Sequence, residues 1–442
     1  MEAIIFIKNM LWGPPLIILL LGTGLYFSVK SKFYRFRCGK DFISLFRNNS
    51  SAKKGSISPF MALSTALGGT VGVGSIIGVA YSIAIGGEGS IFWMWVSGAL
   101  GMITKYAEVA IAVKYRKREN GIFYGGAMYA LESLGKRKTA VLFAVFGIAA
   151  SLGAGNLTQT NAISELLGTE GVPTFITAIV VAVLLALIIF KGQKFIASVS
   201  SVVVPAISFL YLIIIIAVIV IFIGKLPSAF YKIITEAFGI NSVIGGFSGT
   251  MISSAFRNGL TKGVFSHEAG MGSSPIAHAA SEDAQPHKQG IWGIFEVFFD
   301  TFVVSTLTAL ALILLGTDDI GKLFSILPGK TGAFFIVIAI ALFAFAAVLA
   351  WCFYAESCIK FLSDSKFLLI SYKISFICSA FAGAIISKGI AWELADIFNA
   401  LMIFPNLALL IITRKEIVAI IRLASFKVGT FEKRKQERKV KV

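Results

Sequence analysis

The sequence predicts an all-α, polytopic membrane protein of about eleven spanning helices, and three observations carry that prediction. Hydrophobic residues make up 57% of the 442-residue chain and charged residues only 14%, with a mean hydropathy of +0.84, far from the balance of a soluble domain. The apolar residues come in long runs, and a spanning helix needs about 20 of them. The charges, 40 Lys+Arg against 23 Asp+Glu, gather in short loops beside these runs. That distribution reports membrane orientation instead of a nucleic-acid partner.

The first apolar run, 10–28, follows Lys8 and has the length of a signal peptide. Pro14-Pro15 interrupts it and no small-residue cleavage site follows, so it reads as a retained helix. The stretch Lys30 to Lys54 holds eight basic residues against the single acid Asp41, which places it in the cytoplasm and the N-terminus outside. Further spans are read at 56–85, 89–115, 139–168, 174–191, 196–224, 246–282 (broken), 289–316, 331–360, 367–386 and 390–413. Segments assigned inside carry Lys114 to Arg118, Lys136-Arg137-Lys138, Lys191 with Lys194, and the basic tail from Arg414. Segments assigned outside carry Glu88, Glu170 and Asp318-Asp319. The odd count puts the C-terminus inside. The last residues, 425–442, read as a solvated or headgroup-bound basic arm. Cys38, Cys352, Cys358 and Cys378 form no C-x-x-C pair, so neither a disulfide nor a zinc site is expected.

Two spans are not ordinary. The second contains Gly68-Gly69-Thr70-Val71-Gly72-Val73-Gly74-Ser75 at its midpoint, where each interior glycine costs a helix about 1 kcal/mol relative to alanine. Small residues four apart, such as Gly74 and Gly78, suit close helix packing. The other reading is a broken helix near Gly68–Gly74, whose half-helix ends present N–H and C=O groups to ions without any charged side chain. A dinucleotide fingerprint fails, because the spacing is not G-x-G-x-x-G and no strand precedes it.

The second unusual segment runs from Phe256 to Pro275 and is too polar and too rich in glycine for a lipid-facing span; it can persist at membrane depth only inside protein or beside water. His267-Glu268 does not extend to a metalloprotease motif, since Met271 stands where a second histidine is needed. Counted from the second span, each break opens a set of five helices, and interruptions in corresponding positions point to inverted repeats. The chain therefore divides into 1–55, an extra helix and basic loop; 56–224 and 225–424, the two repeats; and 425–442, the tail.

Three motifs in order resemble the alanine or glycine:cation symporter family: Gly69 to Ala80, Gly86 to Trp95, and Phe265 to Ala280. The resemblance covers nearly the whole chain. It implies a leucine-transporter-type 5+5 inverted repeat with one extra N-terminal helix, and import of small neutral amino acids such as alanine or glycine, usually with sodium, across a prokaryotic-type inner membrane. The Gly68-to-Ser75 run is also similar to the unwound first core helix of neurotransmitter:sodium symporters. By that similarity the N–H groups of Val73 and Gly74 take the substrate carboxylate. The carbonyls of Gly68, Thr70 and Val71, with Ser75, face the cation or the substrate ammonium; half-helix ends and carbonyl oxygens suit those roles.

Asn156 and Gln159, three apart on the fourth span, face either the cavity or a neighbouring helix. Phe265 and Trp351 are bulky enough to wall off a small volume, and the resemblance gives aromatic residues there a size-limiting role. Among intramembrane charges, Lys105 and Glu108 read as an ion pair or as snorkelling groups, with Glu296 four residues before Asp300. Glu268 and Asp300 are the candidates for gate or proton relay. His278 and His287 are placed on the cytoplasmic side of the second break.

The sequence departs from the family at Ala346 and Ala347, where members carry Ser or Thr that complete a sodium site, and at Ser75 and His267, which replace Asn. A proton-coupled or sodium-independent carrier thus stays open beside sodium symport. A membrane enzyme would need a converged nucleophile, base or metal cluster, which three histidines do not offer. A channel would need a continuous polar path. Expected partners are a small amino acid, a cation and lipid, with no cofactor or transition metal, and function as a monomer.

Overall fold

The computed structural model describes residues 2–47, 56–119, 121–239, 248–282, 284–324 and 330–423; the basic tail 425–442 and the end of the basic loop lie outside them. Among the described residues the protein is all-helical apart from a small antiparallel pair, β1 (Lys117–Glu119) with β2 (Ile122–Tyr124). Among the described residues nine helices are long and apolar enough to cross a membrane. The shorter apolar helix Thr174–Ile189 joins them, as does the interrupted segment read at 246–282.

The first span begins earlier than the apolar run indicates. Helix α1 (Glu2–Leu11) gives way at Trp12-Gly13 to α2 (Pro14–Lys30), whose prolines sit in the first turn, where a missing N–H costs nothing. After α3 (Gly39–Arg47), Ser58 caps α4 (Pro59–Thr70) by accepting from the Met61 N–H at 3.1 Å. Next come α5 (Val73–Gly86), α6 (Ser90–Lys114), α7 (Ala127–Ser133) and α8 (Arg137–Leu152). A π-helical turn, Gly153–Leu157, leads into α9 (Thr158–Thr169). Helices α10 (Thr174–Ile189), α11 (Gln193–Ile221) and α12 (Leu226–Ala237) follow.

The second half holds α13 (Ser248–His267), the short α14 (Pro275–Ala279) and α15 (Pro286–Val297). A second π-helical stretch, Phe298–Ser305, continues α15 into α16 (Thr306–Leu315). Then follow α17 (Ile320–Phe324), α18 (Lys330–Leu362), α19 (Lys366–Ile385) and α20 (Lys388–Ile412).

The surface is apolar where a soluble protein would be polar. Leu187, Val202, Phe209 and Phe367 point outward from α10, α11 and α19, a belt that only hydrocarbon accommodates. The interior is the reverse: Lys105, Glu296 and Asp300 are fully buried, as are the rings of Phe27, Tyr106, Phe143 and Trp351. Polar groups therefore converge on the two breaks, which α6, α11, α15 and α18 enclose.

Candidate functional site at the two broken helices

The first break is shorter than the glycine run suggests. Helix α4 stays helical through Gly68, Gly69 and Thr70, and only Val71 and Gly72 depart before α5 begins at Val73. The last carbonyls of α4 lack helical donors, apart from that of Leu67, which accepts from the Val71 N–H at 2.7 Å. The Thr70 carbonyl receives the Gly72 N–H at 2.9 Å and the Ser75 hydroxyl at 3.1 Å, while the Thr70 hydroxyl bonds back to Ala66 O at 3.2 Å. At the start of α5, the Val73 N–H donates to Gln159 Oε1 at 3.2 Å. A side-chain oxygen thus occupies the half-helix N-terminus, where an anion is favoured.

Phe265 closes over this end. A Cβ on Gly74 would lie 3.0 Å from Phe265 Cδ1 and 3.2 Å from Ser266 Cα, so the absence of a side chain at Gly74 lets the two broken helices touch. Trp351 of α18 lies on Gly155 and edge-on to Tyr354 at 5.6 Å. Ala346 and Ala347 also face the break: a Cβ on Gly68 would be 3.4 Å from Ala346 O, and one on Gly72 3.0 Å from the Ala347 methyl. On that side α18 offers methyl groups where hydroxyls would supply oxygen.

The oxygen-rich corner is on the other side. Ser75 and Ser266 both hydrogen-bond Asp300; Ser266 Oγ reaches its carboxylate oxygens at 3.0 and 2.8 Å, and Ser75 Oγ at 3.0 Å. Thr301 Oγ1 donates to Asp300 at 3.1 Å, and Ser305 Oγ lies 3.4 Å from Ser266. Ser75 comes from the first break, Ser266 from the second and Asp300 from the π-helical stretch. One carboxylate among hydroxyls and the Thr70 carbonyl is a donor set for a hard cation. Sequence reading named Ser75 and Asp300 separately and missed Ser266, although its place beside Phe265 in the motif was the available signal.

On the fourth span the two amide side chains take different partners. Asn156 lies inside the π-helical turn Gly153–Leu157, which widens the helix, whereas Gln159 follows it in the first turn of α9. Gln159 reaches Val73, whereas Asn156 donates to Phe376 O of α19 at 2.6 Å, leaving its buried Oδ1 without a partner. Asn156 is thus an interhelical tie through its amide nitrogen.

Lys105 and Glu108 are likewise not a snorkelling pair. Lys105 is fully buried, 3.3 Å from Glu296 and 2.6 Å from Ser274 Oγ, and Glu296 also meets His278 Nε2 at 2.9 Å. Glu108 instead accepts the Gly270 and Gly272 N–H groups at 2.9 and 3.1 Å and an Asn406 bond. The second break is built around this carboxylate. Gly270 and Gly272 have φ of +100° and +76°, values that L side chains rarely adopt, and their two amides converge on the Glu108 carboxylate. Glu268 is left-handed too, at φ +53°, and bonds Ser273. His267 spans Ser97 Oγ at 2.9 Å and the Ala269 N–H at 3.0 Å, while His287 lies against Tyr106 and Tyr34 near the basic loop.

Paired broken helices meeting at a polar centre in an apolar bundle define a secondary transporter. The comparisons agree. The model of the sodium:alanine symporter family matches residues 1–441, and the chain belongs to that family. It is 40% identical over 426 residues to an uncharacterized transporter of Haemophilus influenzae, covering 93% of each chain. It is 37% identical over 426 residues to the sodium/alanine symporter AgcS of Methanococcus maripaludis, covering 91% of this chain and 92% of that one. A probable sodium/glutamine symporter, GlnT of Bacillus subtilis, is 34% identical over 429 residues, with coverage of 94% and 89%. Among solved structures, MhsT in complex with L-phenylalanine superposes with a TM-score of 0.57 at 13% identity, over 80% of this chain and 89% of that one. A manganese transporter of Eremococcus coleocola gives 0.52 at 13% identity, over 81% and 78%. The fold is that of the leucine-transporter type, and the protein is a multi-pass membrane transporter of amino acids and cations.

Proposed function

We propose that this chain imports a small neutral amino acid, alanine or glycine, together with sodium, by alternating access. The observation that carries the reading is the meeting of Gly74, Phe265 and Ser266, which joins the two breaks at one small site. Substrate carboxylate displaces Gln159 Oε1 from the Val73 N–H and accepts from the Val73 and Gly74 N–H groups, and the ammonium turns to the carbonyl end of α4 at Gly68 and Thr70. Phe265 and Trp351 bound the remaining volume, which favours a methyl-sized side chain. Sodium sits between the carbonyls of Thr70 and Val71, the Ser75 and Ser266 hydroxyls and Asp300. That corner compensates for the missing hydroxyls at Ala346 and Ala347.

The repeats are 56–224 and 225–424 within eleven spans, with the N-terminus outside, the C-terminus inside and one chain sufficient for transport. The bundle of broken helices rocks against the surrounding helices. A second reading, proton coupling, is favoured by the burial of Asp300 and Glu268 in bonds to hydroxyls. Equilibrium binding of labelled alanine to purified protein tests the proposal. Binding that tightens with sodium and not with potassium supports it, and sodium-independent binding that tightens as pH falls favours the proton instead.

A further inference from the structure

The N-terminal span is gripped on one side and open on another. On α2, a Cβ at Gly24 would lie 2.9 Å from Leu100 Cβ of α6, whereas one at Gly22 would meet nothing within 4 Å. The first glycine lets α2 close on α6. The second lines a groove of about 450 Å³ between α2 and the end of α20, bounded by residues between Ile18 and Phe27 on one side and by Leu410, Ile411 and Arg414 on the other.

The groove has the length and the polarity of an amphiphile. Ile18 and Phe27 stand roughly 14 Å apart along a helix rising about 1.5 Å per residue, close to one leaflet of a hydrocarbon core about 30 Å thick. Both helices run toward the cytoplasm in the eleven-span reading, which puts Tyr26 and Arg414 at the groove's cytoplasmic end. Arg414 donates to Ile411 O of its own helix at 2.7 Å and meets no carboxylate among the described residues. Tyr26 makes only an edge contact to Phe27, at 5.4 Å, among those residues. One turn beyond Tyr26 stands Lys30, with Lys32 after it; both are exposed, and neither has an acidic partner among the described residues. Aliphatic walls thus lead to a hydroxyl and to cations that no acid of this chain neutralises.

We propose that this groove binds an anionic phospholipid of the cytoplasmic leaflet, with an acyl chain laid over Gly22 and the phosphate held by Arg414 and Tyr26. The charge decides the occupant. Any lipid tail satisfies the aliphatic walls, but a guanidinium takes a phosphate through two parallel hydrogen bonds, and the field of Lys30 and Lys32 favours a headgroup of net negative charge. The bound chain supplies the contact that α2 lacks toward α20, so the lipid ties the N-terminal span to the last spanning helix. The proposal rests on the membrane placement and orientation read above and is independent of the substrate carried.

The test is native mass spectrometry of the detergent-purified protein titrated with phosphatidylglycerol or with phosphatidylcholine of the same chains. The wild type is expected to retain phosphatidylglycerol preferentially, and Arg414→Gln to cut that preference about fivefold, the scale of one basic residue near a membrane surface. Gly22→Phe fills the groove and should reduce retention of both lipids. Leu25→Phe adds a ring at an exposed position of α2 outside the groove and should behave as the wild type. Equal retention of the two lipids by the wild type, or a preference within twofold of wild type in Arg414→Gln, overturns the proposal. Retention that Gly22→Phe leaves unchanged overturns it too, since the charge would then act without the groove. If Gly22→Phe does not stay monodisperse on size exclusion, Arg414→Gln, at an exposed position, carries the test. The readout is bound lipid, so a failure of the amino-acid reading would leave this result standing.

Discussion

Gly74 is the position where the smallest change should have the largest effect. Its missing side chain lets Phe265 and Ser266 approach α5, so Gly74→Leu drives an isobutyl group into the junction of the two breaks. The expected outcome is loss of transport while the protein still inserts, checked by uptake alongside size-exclusion profiles; undiminished uptake would remove the assigned pocket. Asp300→Asn keeps the shape and removes the charge, and is expected to abolish the sodium dependence of alanine binding. Outside the spans, burial pushes the Cys38 thiol up to about 11. At pH 7.4 it is then almost wholly protonated, since thiolate appears only as pH approaches that value. Iodoacetamide should modify it slowly in folded protein and quickly after denaturation, as mass spectrometry can read.

At the scale of elements, the two breaks were legible because glycine clusters mark where a helix cannot be sustained. The extent of unwinding was not, since α4 keeps its hydrogen bonds through Gly68 to Thr70 and only Val71 and Gly72 leave the helix. Which of the two readings applied to Asn156 and Gln159 was not legible for a related reason: three residues apart means one face only in a regular α-helix, and Asn156 sits inside a π-helical turn. Lys105 with Glu108 looked like a local pair, yet the packing of α6 on α15 supplies Glu296 to the lysine, and the second break supplies amides to the glutamate. Partners distant in sequence cannot be read from spacing. The buried Lys105–Glu296 pair gives an element-scale prediction. Lys105→Met removes the ammonium from a buried carboxylate that keeps only its His278 contact, and should cost about 3–5 kcal/mol. Adding Glu296→Gln should recover much of that in detergent thermal unfolding, and no recovery would show that the pair is not what holds α6 to α15.

For the whole molecule, composition alone was enough to place the chain in a membrane, and the outward-facing Phe209, Val202 and Phe367 agree with it. The buried polar residues then sort into layers. Lys262 and Asp396 lie between α13 and α20, Ser75, Ser266 and Asp300 at the junction of the breaks, and Lys105, Glu296, Glu108 and Asn406 around the second break. Lys262, Asp396 and Asn406 escaped sequence reading because their partners come from other helices, and the pairings exist only once α13, α20 and α6 are packed together. Such a layered arrangement suits a bundle in which one set of contacts opens while another stays closed.

The central claim is that cation coupling resides at Asp300 and the hydroxyls around it, although Ala346 and Ala347 contribute no side-chain oxygen. The most direct measurement is uptake of labelled alanine into proteoliposomes under an inward sodium gradient, under a proton gradient of equal size, and with neither. Accumulation driven by sodium in the wild type and lost in Asp300→Asn is the predicted result. Sodium-driven accumulation that survives Asp300→Asn, or accumulation driven by protons alone, would contradict it.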